Sequence, residues 1–413
     1  MRIVMAHNRY KFAGGEDSVM AAEVEMLRSA GHEVELLEAD NKTIEGTLAK
    51  IAAAGSLFHS PGSCQRMVEL IRTFRPEIVH IHNWFPLLSP SIISAASAAG
   101  VPVVQTLHNF RMFCANSGLY RDGRVCLDCV GKVLPLDGVV HGCYSGSRVG
   151  SALVTAAFSY HRLAGTWAGI STFIAVSALQ RELLIRGGMK PAQIVVKPNF
   201  VKDPGKPGDG LGGYALFVGR VSAQKGIRTV LKAWEEHTPT LPLKIMGDGP
   251  LADEVRDRSS RLAYVEYLGQ RTASEVAAAM GAARFLIFAS ESYEPLASTI
   301  LEAFSQGTPV LAASVESIND LVKDGVTGLQ FAVGDAGDLA AKANQLSLDA
   351  PGYRDMRRNC RNLYEERYTE PQNYRMLSDI YARAIGSRHS QVAERQDPVL
   401  TTQETNSSGG ETL

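Results

Sequence analysis

The stretch FLIFASESYEPLASTILEAFSQGTP, residues 285–309, decides how the chain is read. Phe285-Leu286-Ile287-Phe288 is a short, continuous apolar run, the pattern of a strand buried on both faces of a parallel sheet. Residues 290–293 form a polar turn. Pro295 suits the first position of a helix, where its missing N–H costs nothing. Residues 296–304 have helical composition, and Gly307-Thr308-Pro309 stops them. Val310-Leu311-Ala312-Ala313 then starts another strand. Glu294 and Glu302 stand about two helical turns apart and near one face. The helix start offers free N–H groups and the positive end of a dipole, which suits an anionic ligand. The same two acids also fit a solvated helix face, because strand ends in open α/β sheets carry many carboxylates.

Working back from there, the second half repeats strand and helix from residue 214 onward. Its first strand ends in Gly219-Arg220, and Lys225-Gly226 follows a short loop later. A forked guanidinium and an ammonium on one loop suit a diphosphate. The loop is not a P-loop, since G-x-x-x-x-G-K-S/T is absent.

The first half alternates in the same way. Strands are expected at 3–6, 33–37, 77–82, 101–106, 173–176 and 194–196, with helices at 18–29, 63–74 and 91–99 between them. The class is therefore α/β: two doubly wound, Rossmann-like domains with a cleft between them. Gly14-Gly15 lies where the first strand hands over to its helix, and lets backbone N–H groups approach a phosphate. His80 and His82 alternate with apolar residues and read as satisfied near the core. His108, just past a strand, is better placed to face the cleft.

The expected organisation is a first domain over 1–198, a Gly/Pro-rich linker at 199–213 and a second domain over 214–367. A C-terminal helix at 368–386 and a polar, disordered tail at 387–413 follow. The chain's 413 residues exceed what one core supports. A hydrophobic share of 45% and a charged share of 21% are those of a globular protein. A net charge of −1 argues against a nucleic-acid partner. No signal-peptide core and no spanning apolar run is present, which points to a cytoplasmic protein.

An insertion at 111–146 holds four of the six cysteines: Cys114, Cys126, Cys129 and Cys143. Cys126-Leu127-Asp128-Cys129 resembles a zinc knuckle, and the other two could complete a structural four-thiolate site. Free thiols or a redox pair are the alternatives. Residues 147–169 read as a helix, packed on its own domain or lying at a membrane surface.

Gly219-Arg220, Lys225-Gly226, Gly247-Asp248-Gly249, Leu268-Gly269 and the Glu294-to-Glu302 spacing follow in order. With Gly14-Gly15, His80-Ile81-His82-Asn83, Thr106-Leu107-His108-Asn109 and Lys197-Pro198-Asn199, the chain up to about residue 385 resembles the retaining glycosyltransferases of family 4, which have the GT-B fold. The cysteine insertion resembles a bacterial subgroup linked to surface polysaccharide or lipopolysaccharide assembly. The resemblance implies a nucleotide-diphosphate sugar donor held by Arg220 and Lys225 at the diphosphate and by Glu302 at the ribose. Glu294 would contact the sugar. Backbone N–H groups of Leu296, Ala297 and Ser298 would cap the phosphates, with Gly14, Gly15, Asn199 and Gly247 also on the donor. His108 would lie beside sugar and acceptor, and Gln270 and Arg271 would face the base. The acceptor would be a saccharide or lipid-linked saccharide, with peripheral membrane association at the inner face. Pro295-Leu296-Ala297 departs from the family's Gly-Phe-Gly, which bears on the sugar pocket. No Asp-x-Asp occurs, so no catalytic metal is expected. A non-catalytic nucleotide-sugar binder or a sugar-nucleotide epimerase of the same fold are the alternatives.

Overall fold

Along β1 (Arg2–Arg9), Ile3 and Met5 face one side and Val4 and Ala6 the other, and all four are fully buried. A strand with no polar face must be covered on both sides, which is why helices flank it. The computed structural model describes residues 1–11, 14–347 and 352–396, the last nine of these by backbone alone. The remaining first-half strands are β2 (Glu33–Asp40), β3 (Ile78–Asn83), β4 (Val103–Leu107), the small hairpin β5 (Tyr120–Arg121) and β6 (Arg124–Val125), β7 (Thr172–Ala175) and β8 (Ile194–Val196). They form a parallel sheet in the order β2-β1-β3-β4-β7-β8, with the hairpin apart. The second half supplies β9 (Ala215–Val218), β10 (Leu243–Met246), β11 (Val265–Gly269), β12 (Phe285–Phe288), β13 (Val310–Ala313) and β14 (Gly328–Phe331). Their order is β11-β10-β9-β12-β13-β14, again parallel. Two doubly wound domains are therefore present, as the alternation predicts.

Each sheet has one point where the winding reverses: between β1 and β3 in the first, between β9 and β12 in the second. The loops leaving neighbouring strands there depart to opposite sides and open a crevice at the strands' carboxyl ends. The loop carrying Arg220 and Lys225 leaves β9, and the loop carrying Ser290 and Glu294 leaves β12.

Local details differ from the sequence expectation in four places. The first helix spans Gly15–Ser29, three residues longer at its start than expected. The helix after β12 spans Ser298–Ser305, not 296–304. The residue before a proline is driven away from helical geometry, and 294–297 stay outside the helix, with a bend at Pro295. Its end is as expected: Gly307 sits at φ 66°, its N–H reaches Phe304 C=O (3.0 Å) and Thr308 N–H reaches Ala303 C=O (2.8 Å). The Gly/Pro linker is not a free spacer, since the N–H groups of Gly208, Gly210 and Gly212 bond to Gln306, Gly281 and Ala282. The final helix spans Glu370–Gln396, well past the expected end at 386. Residues 387–396 contain neither Gly nor Pro, and Arg, Glu, Gln and Ala are good helix formers. The rest of the expected disordered tail, 397–413, lies outside the described residues.

Candidate active site

The glycines at the β9 and β10 ends make the crevice in the second domain possible. Gly247 has φ 140°, and a Cβ there would stand 1.9 Å from the Gly219 carbonyl oxygen. Gly226, at φ 69°, has the Ala289 carbonyl oxygen 2.0 Å from its would-be Cβ. Only glycine lets these backbones touch. The result pins the Arg220–Gly226 loop against the loop after β12. The resemblance places Gly247 on the donor, but its N–H is committed to Gly269 C=O at 2.9 Å. Its part is to allow the loops to approach.

On this frame Lys225 Nζ donates to Glu294 Oε1 at 2.5 Å, and Ser290 Oγ donates to the same oxygen at 2.7 Å. Glu294 is also held through its N–H, on Ser317 Oγ at 3.1 Å. Gln224 Nε2 donates to Ser292 Oγ (2.8 Å), tying the two loops again. Arg220 is exposed beside them. Two residues expected to meet different parts of a donor are thus already paired with each other. At the helix start, Ser298 N–H is spent on Leu296 C=O at 3.1 Å. Among the described residues no protein acceptor lies on the N–H of Leu296 or Ala297, so two of the three expected phosphate caps are available. Glu302, one face down the helix, is largely buried with no cation beside it among the described residues, and burial pushes its carboxyl up to about 7.

In the first domain, His108 Nε2 and His82 Nδ1 are 2.9 Å apart, with their rings stacked. His82 Nε2 lies 3.3 Å from Glu23 Oε2, and Lys197 Nζ donates to the other Glu23 oxygen at 2.6 Å. Burial alone would raise the Glu23 carboxyl, but Lys197 and His82 hold it well below the usual carboxylate range. Burial, helped by neighbouring His82, holds His108 well below the usual histidine range, so its ring is neutral. His80, expected to be satisfied near the core, bonds Tyr381 Oη (2.7 Å) and Thr106 Oγ1 (2.8 Å). Glu23, His80 and His82 place ligand atoms within 4.8 Å of one another, yet Lys197 already neutralises the carboxylate. That set is an ion-pair network rather than a metal centre.

Sequence reasoning missed Glu23, although a signal existed. It sits on the apolar stripe of the first helix, between Val19, Met20, Val24 and Leu27, where a charge needs a partner. Gly14 and Gly15 are exposed and open that helix, with open space where a Cβ would stand. Gly14 N–H bonds Asp17 Oδ2, and the other Asp17 oxygen holds His7 (2.8 Å). Asn199 is buried, and its Oδ1 has no protein partner among the described residues. Gln270 and Arg271 follow β11 and are exposed. Cys114, Cys126, Cys129 and Cys143 line one cavity and form no disulfide.

Two family models match the chain. The one described as "Glycosyl transferase 4-like domain" covers residues 14–199, and "Glycosyl transferases group 1" covers 203–363. Glycogen synthase of Mycobacterium tuberculosis is 26% identical over 68% of this chain and 62% of its own length. Alpha-monoglucosyldiacylglycerol synthase of Streptococcus pneumoniae is 25% identical over 64% of this chain and 58% of its own. The chain thus spans about three-fifths of the length of these curated relatives. The crystal structure of Anabaena HepE in complex with UDP-glucose superposes with a TM-score of 0.63 at 16% identity, over 93% of this chain and 100% of that one. With one glycosyltransferase domain matched in each half, on two doubly wound sheets, the chain belongs to the GT-B glycosyltransferases.

Proposed function

We propose that the protein transfers a hexose from a nucleotide-diphosphate sugar to a saccharide or lipid-linked saccharide acceptor, with retention, in surface polysaccharide or glycolipid synthesis. The observation that carries this reading is the crevice between β9 and β12. Arg220 and Lys225 lie on the loop leaving β9, Lys225 pairs with Glu294 on the loop leaving β12, and the N–H groups of Leu296 and Ala297 have no protein acceptor among the described residues. HepE, of the same fold, was solved with UDP-glucose, and the diacylglycerol synthase among the relatives is named for a lipid acceptor.

Breaking the sugar–phosphate bond puts negative charge on the departing diphosphate. Fixed cations and helix N–H groups stabilise that charge without reorganising. Binding a donor exchanges the Lys225–Glu294 pair for two new partners: the ammonium turns to phosphate, and the freed carboxylate accepts from sugar hydroxyls. Glu302 accepts from the ribose diol. Neutral His108, oriented by His82, offers a hydrogen-bond partner to sugar or acceptor without adding charge.

A membrane-linked acceptor fits the 148–163 helix, which leaves Val149 and Leu163 73% and 77% exposed beside Arg148 and Arg162. Val133, Leu134 and Leu136, also exposed, belong to the segment packed on that helix. Among the described residues no helix is long and apolar enough to cross a membrane. The surface suits docking at a bilayer face instead.

The test is donor hydrolysis and transfer across UDP- and GDP-sugars. Lys225→Ala should cut kcat by about a hundredfold or more, as loss of one preorganised donor does. Equal rates for variant and wild type would remove Lys225 from the site.

A further inference from the structure

Residues 111–147 carry little regular structure. Their only regular structure is the two-residue strands β5 and β6 and the four-residue helix Asp137–Val140. Ser117, Leu119, Asp122 and Ser145 all take positive φ, between 47° and 64°. Phe113, Ala115 and Leu119 anchor it in the first domain's core, and a segment so irregular is of the kind that cross-links or a metal reinforce.

Four cysteines lie around one cavity inside it, no three of their sulfurs all within 4.8 Å of one another. Cys114 ends the turn after β4, Cys126 and Cys129 flank the turn after β6, and Cys143 follows the short helix. All four line one cavity with Asn116, Tyr120, Arg121 and Gly138. The backbone is folded around the sulfurs. Cys126 N–H bonds Leu119 C=O at 2.8 Å, and Cys143 N–H bonds Gly138 C=O at 2.9 Å. Cys114 Sγ donates to Asn116 Oδ1 at 2.9 Å, and a Cβ on Gly138 would stand 3.8 Å from the Cys129 sulfur. Arg121 lines the same cavity, its guanidinium paired with Asp128 at 2.7 Å and with Asp122 at 3.4 Å.

Four thiolates around a divalent ion carry a net charge of about −2, and the Arg121 guanidinium on the same cavity sets a positive charge beside them. The tip of the segment also crosses to the second domain. Tyr120 Oη donates to Glu291 Oε2 at 3.2 Å, and a Cβ on Gly118 would stand 3.3 Å from Gln224 Nε2. Glu291 N–H bonds Gln224 C=O, next to Lys225. We propose that Cys114, Cys126, Cys129 and Cys143 bind one zinc ion, which fixes the β5–β6 tip against the Lys225 loop. All four positions are protein ligands, so the ion is structural. The site does not depend on the transferase reading.

The test is metal analysis of the full-length protein purified in reductant. About one zinc per chain is expected. The Cys126→Ser/Cys129→Ser double variant should lose it, and Cys360→Ser, buried far from the cavity, should keep it. Cobalt exchanged into the wild-type chain should show the intense visible bands of a tetrahedral thiolate site. Should the double variant fail to fold, wild type treated with chelator gives the answer: four additional thiols should become reactive as zinc leaves. Metal well below stoichiometry, iron in place of zinc, full zinc retention in the double variant, or two disulfides in the reduced preparation would each overturn the assignment.

Discussion

Glu302 is a carboxyl with a burial problem and, among the described residues, no cation to solve it. Its pKa stands at about 7 in the folded chain, against an ordinary 4.5, because burial disfavours the charge. A group whose folded pKa is raised contributes stability that is full below its unfolded pKa and lost as pH rises through the folded one. For Glu302 the window runs from about 4.5 to about 7. Glu302→Gln should therefore raise the Tm of the free protein at pH 8 and change it little at pH 4.5. The gain is bounded by about 3 kcal/mol. The same variant should weaken nucleotide binding, since an amide is a poorer acceptor for two ribose hydroxyls. Thermal melts at both pH values, with and without UDP, check both halves. A Tm at pH 8 equal to or below wild type would show that the carboxyl is not strained.

At the scale of elements, the alternation of apolar runs with helices carried the strands and the doubly wound class, because each signal is local, while the strand order within each sheet was not legible. The Glu294–Glu302 spacing was legible for the same reason. Where the helix begins was not: Pro295 reads as a first helical residue, but the bend there is set by Ser317 and by the neighbouring loop. The buried pair of Glu23 and Lys197 was hidden further still, since its members lie 174 residues apart. Removing one partner of such a pair leaves a charge stranded in the core and costs about 3–5 kcal/mol. Lys197→Met should lower the Tm sharply. Adding Glu23→Leu should recover a good part of the loss, because the stranded charge goes with it. Chemical denaturation of the two single variants and the double measures the coupling. Independent, additive effects would mean that the two residues do not act as a pair. His82 and His108 stand on the same network, so Lys197→Met should also lower kcat where donor affinity is kept.

At the scale of the molecule, the chain passes between the domains twice, and the two passages lie together. Val201 N–H bonds Tyr368 C=O at 3.1 Å, and Tyr364 Oη bonds Val201 C=O at 2.9 Å. Beyond that point the final helix lies on the first domain. Leu377, Ile380, Tyr381 and Ala384 share a core with Ile3, Met5, Met20, Val24 and Leu27. Asn373 bonds both Lys197 and Pro198, and Tyr381 caps His80. The helix therefore completes the first domain from the far end of the sequence and closes the same buried network that orients His108. Tyr381→Phe keeps the ring but strips His80 Nδ1 of its partner, leaving Thr106 on Nε2, and should cost about 1–3 kcal/mol. Tyr381→Ala also opens a cavity, and should cost about 3–5 kcal/mol. Because the loss falls on the first domain, calorimetry should show its transition moving down while that of the second domain stays. A single transition shifted as a whole would mean instead that the paired crossings and the Tyr120–Glu291 contact bind the two domains into one cooperative unit.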